Sequence, residues 1–245
     1  MSGHSKWKNI AHKKGLSDAK RAKIFTKIGR EMAVAIKEGG SDPNSNSKLK
    51  EIIAKARANN VPNDNVQRMI AKFSGAGNDA ANYETIIYEG YGPSGIAVIV
   101  ETLTDNRNRT AADLRHYFDK YGASLGATGC VSWQFESKGV ILIDADIPQS
   151  EEEVMMTAIE AGASDFNSDD GVYEITTEPN DLTAVCDALE NAGYTFMQAE
   201  KAMVPSTYVA LEAEEDIQKM EKLLEMLEDH DDVQNVWHNW ENPTV

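Results

Sequence analysis

Hydrophobic positions follow a helical period in the first eighty residues, and strand and helix periods alternate after them. A first helix is predicted from about residue 18 to the glycine pair at 39–40, because capping side chains precede it and glycines end it. Its apolar residues fall on one face, which is typical of a helix that packs on a core. They are Phe25, Ile28, Met32 and Ile36. Two shorter helices are predicted at about 48–60 and around 66–73.

Strand and helix patterns alternate from residue 81 onward. Residues 138–204 have the order β-α-β-β-α-β, which is the ferredoxin-like split motif. The elements after residue 205 have no local sheet, so we expect them to complete the sheet that begins near residue 81. The sequence therefore predicts an α+β multidomain protein. Its predicted parts are a three-helix domain at 1–80, an α+β domain at 81–137 plus 205–245, and a ferredoxin-like domain at 138–204 inserted into the second.

Three local predictions concern the discontinuous α+β domain. A strand is predicted at 131–136 and another at 207–211. A helix is predicted from Thr110, because Thr110 and Asp113 have the spacing of a capping box.

Charge divides the chain into two unlike parts. Residues 1–80 hold 16 of the 24 lysines and arginines and 7 of the 40 acidic residues, which gives +9. Residues 81–245 hold the other 8 basic and 33 acidic residues, which gives −25. The net charge of −16 therefore hides a cationic module joined to an anionic body. The field of the cationic module decides its partners, because charges are screened over roughly 8–10 Å in physiological salt.

The basic residues of the first helix form a stripe about 100° wide, opposite the apolar face. They are Lys20, Lys23, Lys27, Arg30 and Lys37. A solvated helix face normally mixes charges of both signs, so a stripe of one sign favours an anionic partner. Nucleic acid phosphates are one candidate. Docking of the stripe on the acidic body of the same chain, or on another protein, is the alternative.

Two further segments extend the candidate surface. Residues 1–16 form a basic arm that contains Lys6, Trp7, Lys8, Lys13 and Lys14. An aromatic ring between lysines suits base stacking, and it equally suits an anchor that pins the arm to the helices. Arg107 and Arg109 precede a predicted helix, where backbone N–H groups already favour anions. Phosphate contact and ion pairing with nearby acids are both open for these arginines.

Several motif matches fail on their context, and we expect no catalytic residue, metal site or cofactor. The Gly-x-Ser-x-Gly match at 122–126 follows a helix, whereas a nucleophile elbow follows a strand. The acidic segment at 165–169 lacks the glycine and the glutamate of a calcium loop. Cys130 and Cys186 form no disulfide framework, which favours a reducing cytoplasm. The longest aliphatic run, 96–100, is far below the roughly 20 residues of a membrane helix. We therefore expect neither a membrane span nor a secretory signal.

Five blocks resemble the YebC/PmpR family and are long enough to be specific. They are MSGHSKWKNIAHKK at 1–14, DAKRAKIFTK at 18–27, NNVPN at 59–63, YEGYGP at 88–93 and LTDNRNRT at 103–110. The resemblance implies a three-domain, cytoplasmic and non-enzymatic regulator of gene expression. Bacterial members are described as DNA-binding transcriptional regulators. Relatives, among them a mitochondrial translational activator of cytochrome oxidase, are linked to the ribosome and to synthesis through proline runs.

Carried onto this chain, the resemblance places the basic surface at Lys6–Lys14 and Lys20–Arg30, with Arg107 and Arg109 as a second site. The expected partner is DNA, with ribosomal or transfer RNA as the alternative. A protein-interaction or assembly factor that acts through its acidic body is the alternative of another class. We expect no small-molecule substrate, and either a monomer or a weak homo-oligomer.

Overall fold

The structure is a computed structural model, which describes residues 18–75, 83–169 and 171–241; the side chains of residues 18–21 and 58 lie outside this description. Within these ranges the helices are α1 (Asp18–Gly39), α2 (Ser47–Ala58), α3 (Asn63–Phe73), α4 (Arg107–Lys120), α5 (Glu151–Glu160), α6 (Leu182–Asn191) and α7 (Glu214–Asp229). The strands are β1 (Glu84–Tyr91), β2 (Ala97–Thr104), β3 (Ser124–Leu125), β4 (Phe135–Asp144), β5 (Asp165–Asp169), β6 (Val172–Thr177), β7 (Gln198–Pro205) and β8 (Val233–His238).

Helices α1 to α3 form a helical module around a hydrophobic core of their own. The buried residues of this core include Ile28, Met32, Leu49 and Val66, and every member lies between residues 24 and 73. The buried Asn46 joins the first two helices: its Nδ2 donates to two carbonyls at the end of α1, at 2.7 and 2.8 Å, and its Oδ1 caps α2. Three short helices close a core here because this side chain satisfies backbone groups of both helix ends.

The first sheet has the strand order β3-β1-β2-β8, and its described pairs are antiparallel. Helices α4 and α7 cover one face, where residues such as Leu114, Phe118 and Leu224 are buried. β1 and β3 approach closely at Gly90, where a Cβ would lie 2.5 Å from the Ser124 carbonyl oxygen. Since β8 pairs with β2, the chain leaves this sheet after β3 and returns to it near its end.

The second sheet has the strand order β5-β6-β4-β7. Helices α5 and α6 pack on one face, and the elements follow the predicted β-α-β-β-α-β order. The predicted fold class, an α+β multidomain protein with an N-terminal helical domain, is confirmed. The exact domain boundaries remain a prediction. β4 begins at Phe135, before residue 138, because Phe135 pairs with Pro205 of β7.

Three local predictions were wrong in their bounds: the helix start at Thr110, the strand at 131–136, whose last two residues do belong to β4, and the strand at 207–211. α4 begins one turn before Thr110, because the Asn106 side chain accepts from the Arg109 N–H at 3.1 Å and caps the helix there. Residues 131–134 leave the strand pattern and form a tight turn, because backbone N–H groups of this segment bind the Glu89 carboxylate. The predicted strand at 207–211 is reduced to a single bridge between Val209 and Trp240.

An apolar contact joins the two sheets. Ile99, Phe135, Met203 and Trp237 meet between them, so strands from both sheets contribute to one cluster. The core of the helical module does not extend into this cluster. Among the described helices, none is long and apolar enough to cross a membrane.

Candidate nucleic-acid interface

The predicted site residues divide into two groups. Lys6, Trp7, Lys8, Lys13 and Lys14 lie outside the described residues, and Lys20 lies in the first turn of α1 with its side chain outside the description. The structure describes the side chains of Lys23, Lys27, Arg30, Arg107 and Arg109. The geometry below concerns this second group.

Two lysines of α1 contact the C-terminal end of α7. The Lys23 ammonium lies 2.7 Å from a carboxylate oxygen of Asp229 and also donates to the Asp229 carbonyl. One turn along α1, the Lys27 ammonium donates to the Glu228 carbonyl at 2.6 Å. A helix C-terminus attracts cations because its last carbonyls lack intrahelical donors and its dipole is negative there. The C-terminal end of α7 in the same chain therefore engages both ammonium groups, and their binding to phosphates stays a prediction.

Arg30 continues the same contact. Its guanidinium donates to the Asp231 carbonyl at 2.7 Å and to the Asp232 carboxylate at 3.1 Å. Arg30, too, faces the acidic part of the chain rather than open solvent. The basic stripe of α1 is therefore paired, over these three residues, with the segment 228–232. This is the internal docking that the sequence left open as the alternative to nucleic acid.

Asp232 is the buried centre of the contact, with 3% of the residue exposed. Its second carboxylate oxygen accepts from Arg109 at 2.7 Å, from Thr110 at 2.9 Å and from Thr104 at 3.1 Å. Desolvation raises the pKa of Asp232, but the hydrogen bonds from Arg109 and Thr110 outweigh it, so the pKa lies below its ordinary value. The carboxylate thus stays ionised and joins the helical module to the first sheet.

The two arginines of α4 have different environments. Arg109 donates to Asp105 at 2.9 Å as well as to Asp232, so its guanidinium is engaged within the protein. The side chain of Arg107 is exposed. Arg109 thus makes the ion pairs that the sequence left open, while its side chain remains 47% exposed. Phosphate contact at Arg107 and Arg109 stays a prediction.

Burial affects Lys27 more than its neighbours in the stripe. Desolvation lowers the pKa of Lys27 to about 8, although the nearby carboxylates of Glu228 and Asp231 act in the opposite direction. The charged ammonium is therefore less stable in the docked position than in water.

Exposed cations outside the predicted set lie on the other helices of the module. Arg57 ends α2, and Arg68 and Lys72 lie one turn apart on α3. Helical periodicity could have found the α3 pair, because Val66, Ile70 and Phe73 define the opposite, inward face. The α3 pair adds to the positive surface of the module.

A cleft of about 610 Å³ separates the helical module from the two sheets. Ion pairs cross from α2 to the ferredoxin-like part, between Lys50 and Asp187 at 2.8 Å and between Lys201 and Glu51 at 3.0 Å. Trp237 is part of the apolar lining of this cleft. Within the described residues, no three His, Cys, Asp or Glu side chains converge as a metal site requires. The helical module is thus held to the rest of the protein largely by charged contacts around an open space.

Comparison with known proteins covers nearly the whole chain. The profile of the TACO1/YebC N-terminal domain matches residues 5–76, and that of the TACO1/YebC second and third domains matches residues 83–240. A protein of Ruminiclostridium cellulolyticum, named a probable transcriptional regulatory protein, is 59% identical over 98% of this chain and 97% of its own. A protein of Finegoldia magna with the same name is 57% identical over 99% of this chain and 100% of its own.

A solved structure agrees with these matches. The conserved hypothetical protein Aq1575 of Aquifex aeolicus has a TM-score of 0.82 and 43% identity, covering 93% of each chain. The resemblance found in the sequence blocks is therefore confirmed, and the chain belongs to the TACO1/YebC family.

Proposed function

We propose that this protein is a non-enzymatic regulator of gene expression that binds nucleic acid phosphates through its N-terminal module, residues 1–80. The observation that carries the proposal is the charge division, +9 in the module against −25 in the rest. Polyphosphate binding needs a local positive field and not a positive whole protein. The names of the two relatives, probable transcriptional regulatory proteins, support a regulatory role.

The proposed contact surface begins at the arm and continues along α1. Its members are Lys6, Trp7, Lys8, Lys13, Lys14, Lys20, Lys23, Lys27 and Arg30, with Arg107 and Arg109 as a second site. Lysine predominates, and lysine is a mobile point charge, whereas bidentate reading of guanine favours arginine. We therefore expect strong binding to phosphates and weak discrimination between sequences. DNA is the proposed partner, and ribosomal RNA is the outcome that the test must separate from it.

Binding to a short DNA duplex is expected to fall linearly with salt on a log–log scale. If three or four phosphates are neutralised, affinity should drop about 40- to 150-fold between 50 and 200 mM salt, because each contact contributes a slope of about −0.9. Fluorescence anisotropy with a labelled duplex measures the affinity at each salt concentration. A structured RNA of equal length, titrated in parallel, shows which nucleic acid binds more tightly. Affinity that is flat over this range would contradict phosphate binding.

A four-lysine variant of the arm tests where the phosphates bind. Lys6, Lys8, Lys13 and Lys14 are replaced together by glutamine, and the salt slope is expected to become shallower by about 0.9 for each phosphate contact that is lost. The matched control makes the same charge change in the acidic body, at Lys120, Lys138, Lys219 and Lys222. Equal losses in the two variants would mean that net charge, rather than the arm, determines binding.

A second candidate function rests on the paired stripe. Because Lys23, Lys27 and Arg30 contact the acidic segment 228–232, the second candidate is an interaction or assembly factor whose acidic body is the active surface and whose basic module docks on it internally. A chain lacking residues 1–40 separates the two candidates in a cell that lacks the native gene. Full complementation by that chain would favour the acidic body, and loss of complementation would favour the nucleic-acid role.

A further inference from the structure

The acidic segment 228–232 presents a row of oxygen atoms to the basic stripe of α1. Five of them accept from Lys23, Lys27 and Arg30, at 2.6–3.2 Å. Two of the five are carboxylate oxygens, of Asp229 and Asp232, and three are backbone carbonyls. A nucleic acid strand offers its phosphate oxygens to the same kind of cation.

The acidic residues of this segment lie where a helix by itself disfavours them. Glu228 and Asp229 are in the last turn of α7, which carries no basic residue, and Asp231 and Asp232 follow directly. The C-terminus of a helix is its negative end, so carboxylates there repel the dipole. The cations of α1 compensate that repulsion. The acidic end of α7 and the basic stripe are thus electrostatic counterparts within one chain.

The docked arrangement involves little apolar packing. The core of the helical module contains residues of that module alone, whereas the two sheets share an apolar cluster around Trp237. Lys27 is disfavoured in its docked, charged form, as its pKa of about 8 shows. The Lys23–Asp229 pair is exposed on both sides, and exposed ion pairs stabilise a protein only weakly. Displacing residues 228–231 from the stripe, with buried Asp232 left in place, therefore costs less than unfolding either part.

We propose that residues 228–231 are an intramolecular competitor of the nucleic acid, bound to the stripe in the closed state and displaced when phosphates bind, while buried Asp232 keeps its contacts with Arg109, Thr110 and Thr104. This inference rests on the proposed function and adds its regulation. Lys23, Lys27 and Arg30 then have two alternative occupants. The observed affinity of the whole protein is reduced by the fraction of molecules in which the stripe is open.

Competition changes the salt dependence as well as the affinity. Phosphate binding releases counterions from the nucleic acid, but the displaced carboxylates take up cations and offset part of that release. The intact protein should therefore show a shallower salt slope than a variant whose segment carries no charge. If only the net charge of the protein mattered, removing the same number of acidic charges elsewhere would change the affinity and the salt slope equally.

The test is a triple variant of the full chain, Glu228→Gln, Asp229→Asn and Asp231→Asn. Buried Asp232 is kept, so that the link to the first sheet survives. The control variant makes the same charge change on exposed residues of the ferredoxin-like part: Asp146→Asn, Glu152→Gln and Glu160→Gln. Affinity for the labelled duplex is expected to rise about tenfold in the triple variant relative to the control, with a steeper salt slope.

The outcomes separate the two proposals. If the intact protein and all variants fail to bind DNA and RNA, the proposed function is wrong. If the intact protein binds, and the triple variant matches the control in both affinity and salt slope, competition is refuted while the proposed function stands. Urea unfolding of all three proteins confirms that they are folded, and amide side chains at a helix C-terminus should not weaken α7.

Discussion

Replacing Asp232 with alanine is expected to lower the free energy of unfolding by about 3–5 kcal/mol, which is the cost of removing one partner from a buried ionic contact. The carboxylate is 3% exposed and accepts from four side chains: Arg30 on one oxygen and Arg109, Thr110 and Thr104 on the other. Its loss leaves both guanidiniums and both hydroxyls without this acceptor. Urea unfolding at neutral pH measures the change.

Two companion variants make the Asp232 result specific. Asp231→Ala alters the neighbouring exposed side chain and should stay within about 0.5 kcal/mol of the intact protein. Asp232→Asn keeps the volume and one acceptor oxygen, so its free energy of unfolding should lie between those of the two alanine variants. If Asp232→Ala were as mild as Asp231→Ala, the carboxylate would not be a centre of stability.

The Asp232 contribution has a defined pH dependence. Its pKa lies below the ordinary value, because hydrogen bonds from Arg109 and Thr110 outweigh desolvation, whereas an unfolded aspartate titrates near about 3.9. The unfolded chain therefore binds the proton first as the pH falls, and stability is lost through the folded pKa. The stability gap between the intact protein and Asp232→Asn should be constant near neutral pH and shrink below about pH 4.

Periodicity predicted most of the architecture but not the partners of the charged residues. The face with Ile28 and Met32 is the core face of α1, because apolar side chains at helical spacing have to be buried somewhere. The opposite face was also identified correctly as basic. The segment that contacts this basic face was not identified, because Lys27 and Glu228 are 201 positions apart along the chain. A charge pattern shows which face of a helix is basic but not which distant segment packs against it.

Local propensity failed where a distant side chain decided the backbone. Residues 131–136 have the apolar and aromatic character of a strand, and a strand was expected there. The carboxylate of Glu89, some 40 positions earlier, instead binds backbone N–H groups of this segment and turns it. A buried glutamate on a strand is rare unless it is paired, and that rarity becomes informative only when its burial is known.

Glu89 leads to the second large effect: Glu89→Ala is expected to lower the free energy of unfolding by about 3 kcal/mol or more. The residue is 3% exposed, and its two carboxylate oxygens accept from the N–H groups of Gly129, Val131 and Ser132 at 2.8–2.9 Å. Buried backbone donors left without a partner cost about 1–3 kcal/mol each, and solvent reaches part of this loop and limits the sum. Urea unfolding measures the total loss.

A local measurement separates the loop from the rest of the protein. Amide hydrogen exchange at Val131 and Ser132 should accelerate strongly in Glu89→Ala, while amides in the β4–β6 pairing keep the protection that global stability allows. The turn also presents Trp133, which is 75% exposed, so its ring should become more mobile.

Glu89→Gln is the control that distinguishes charge from shape. The glutamine fits the same space but replaces one acceptor oxygen with a donor, which then faces backbone N–H groups. Desolvation raises the pKa of Glu89, and the three backbone hydrogen bonds lower it more, so the ionised form is the bound one. We expect Glu89→Gln to lose about half of the alanine effect. If the Glu89→Gln variant were as stable as the intact protein, a neutral side chain of the same shape would be enough to hold the turn, and the ionised carboxylate would not be required.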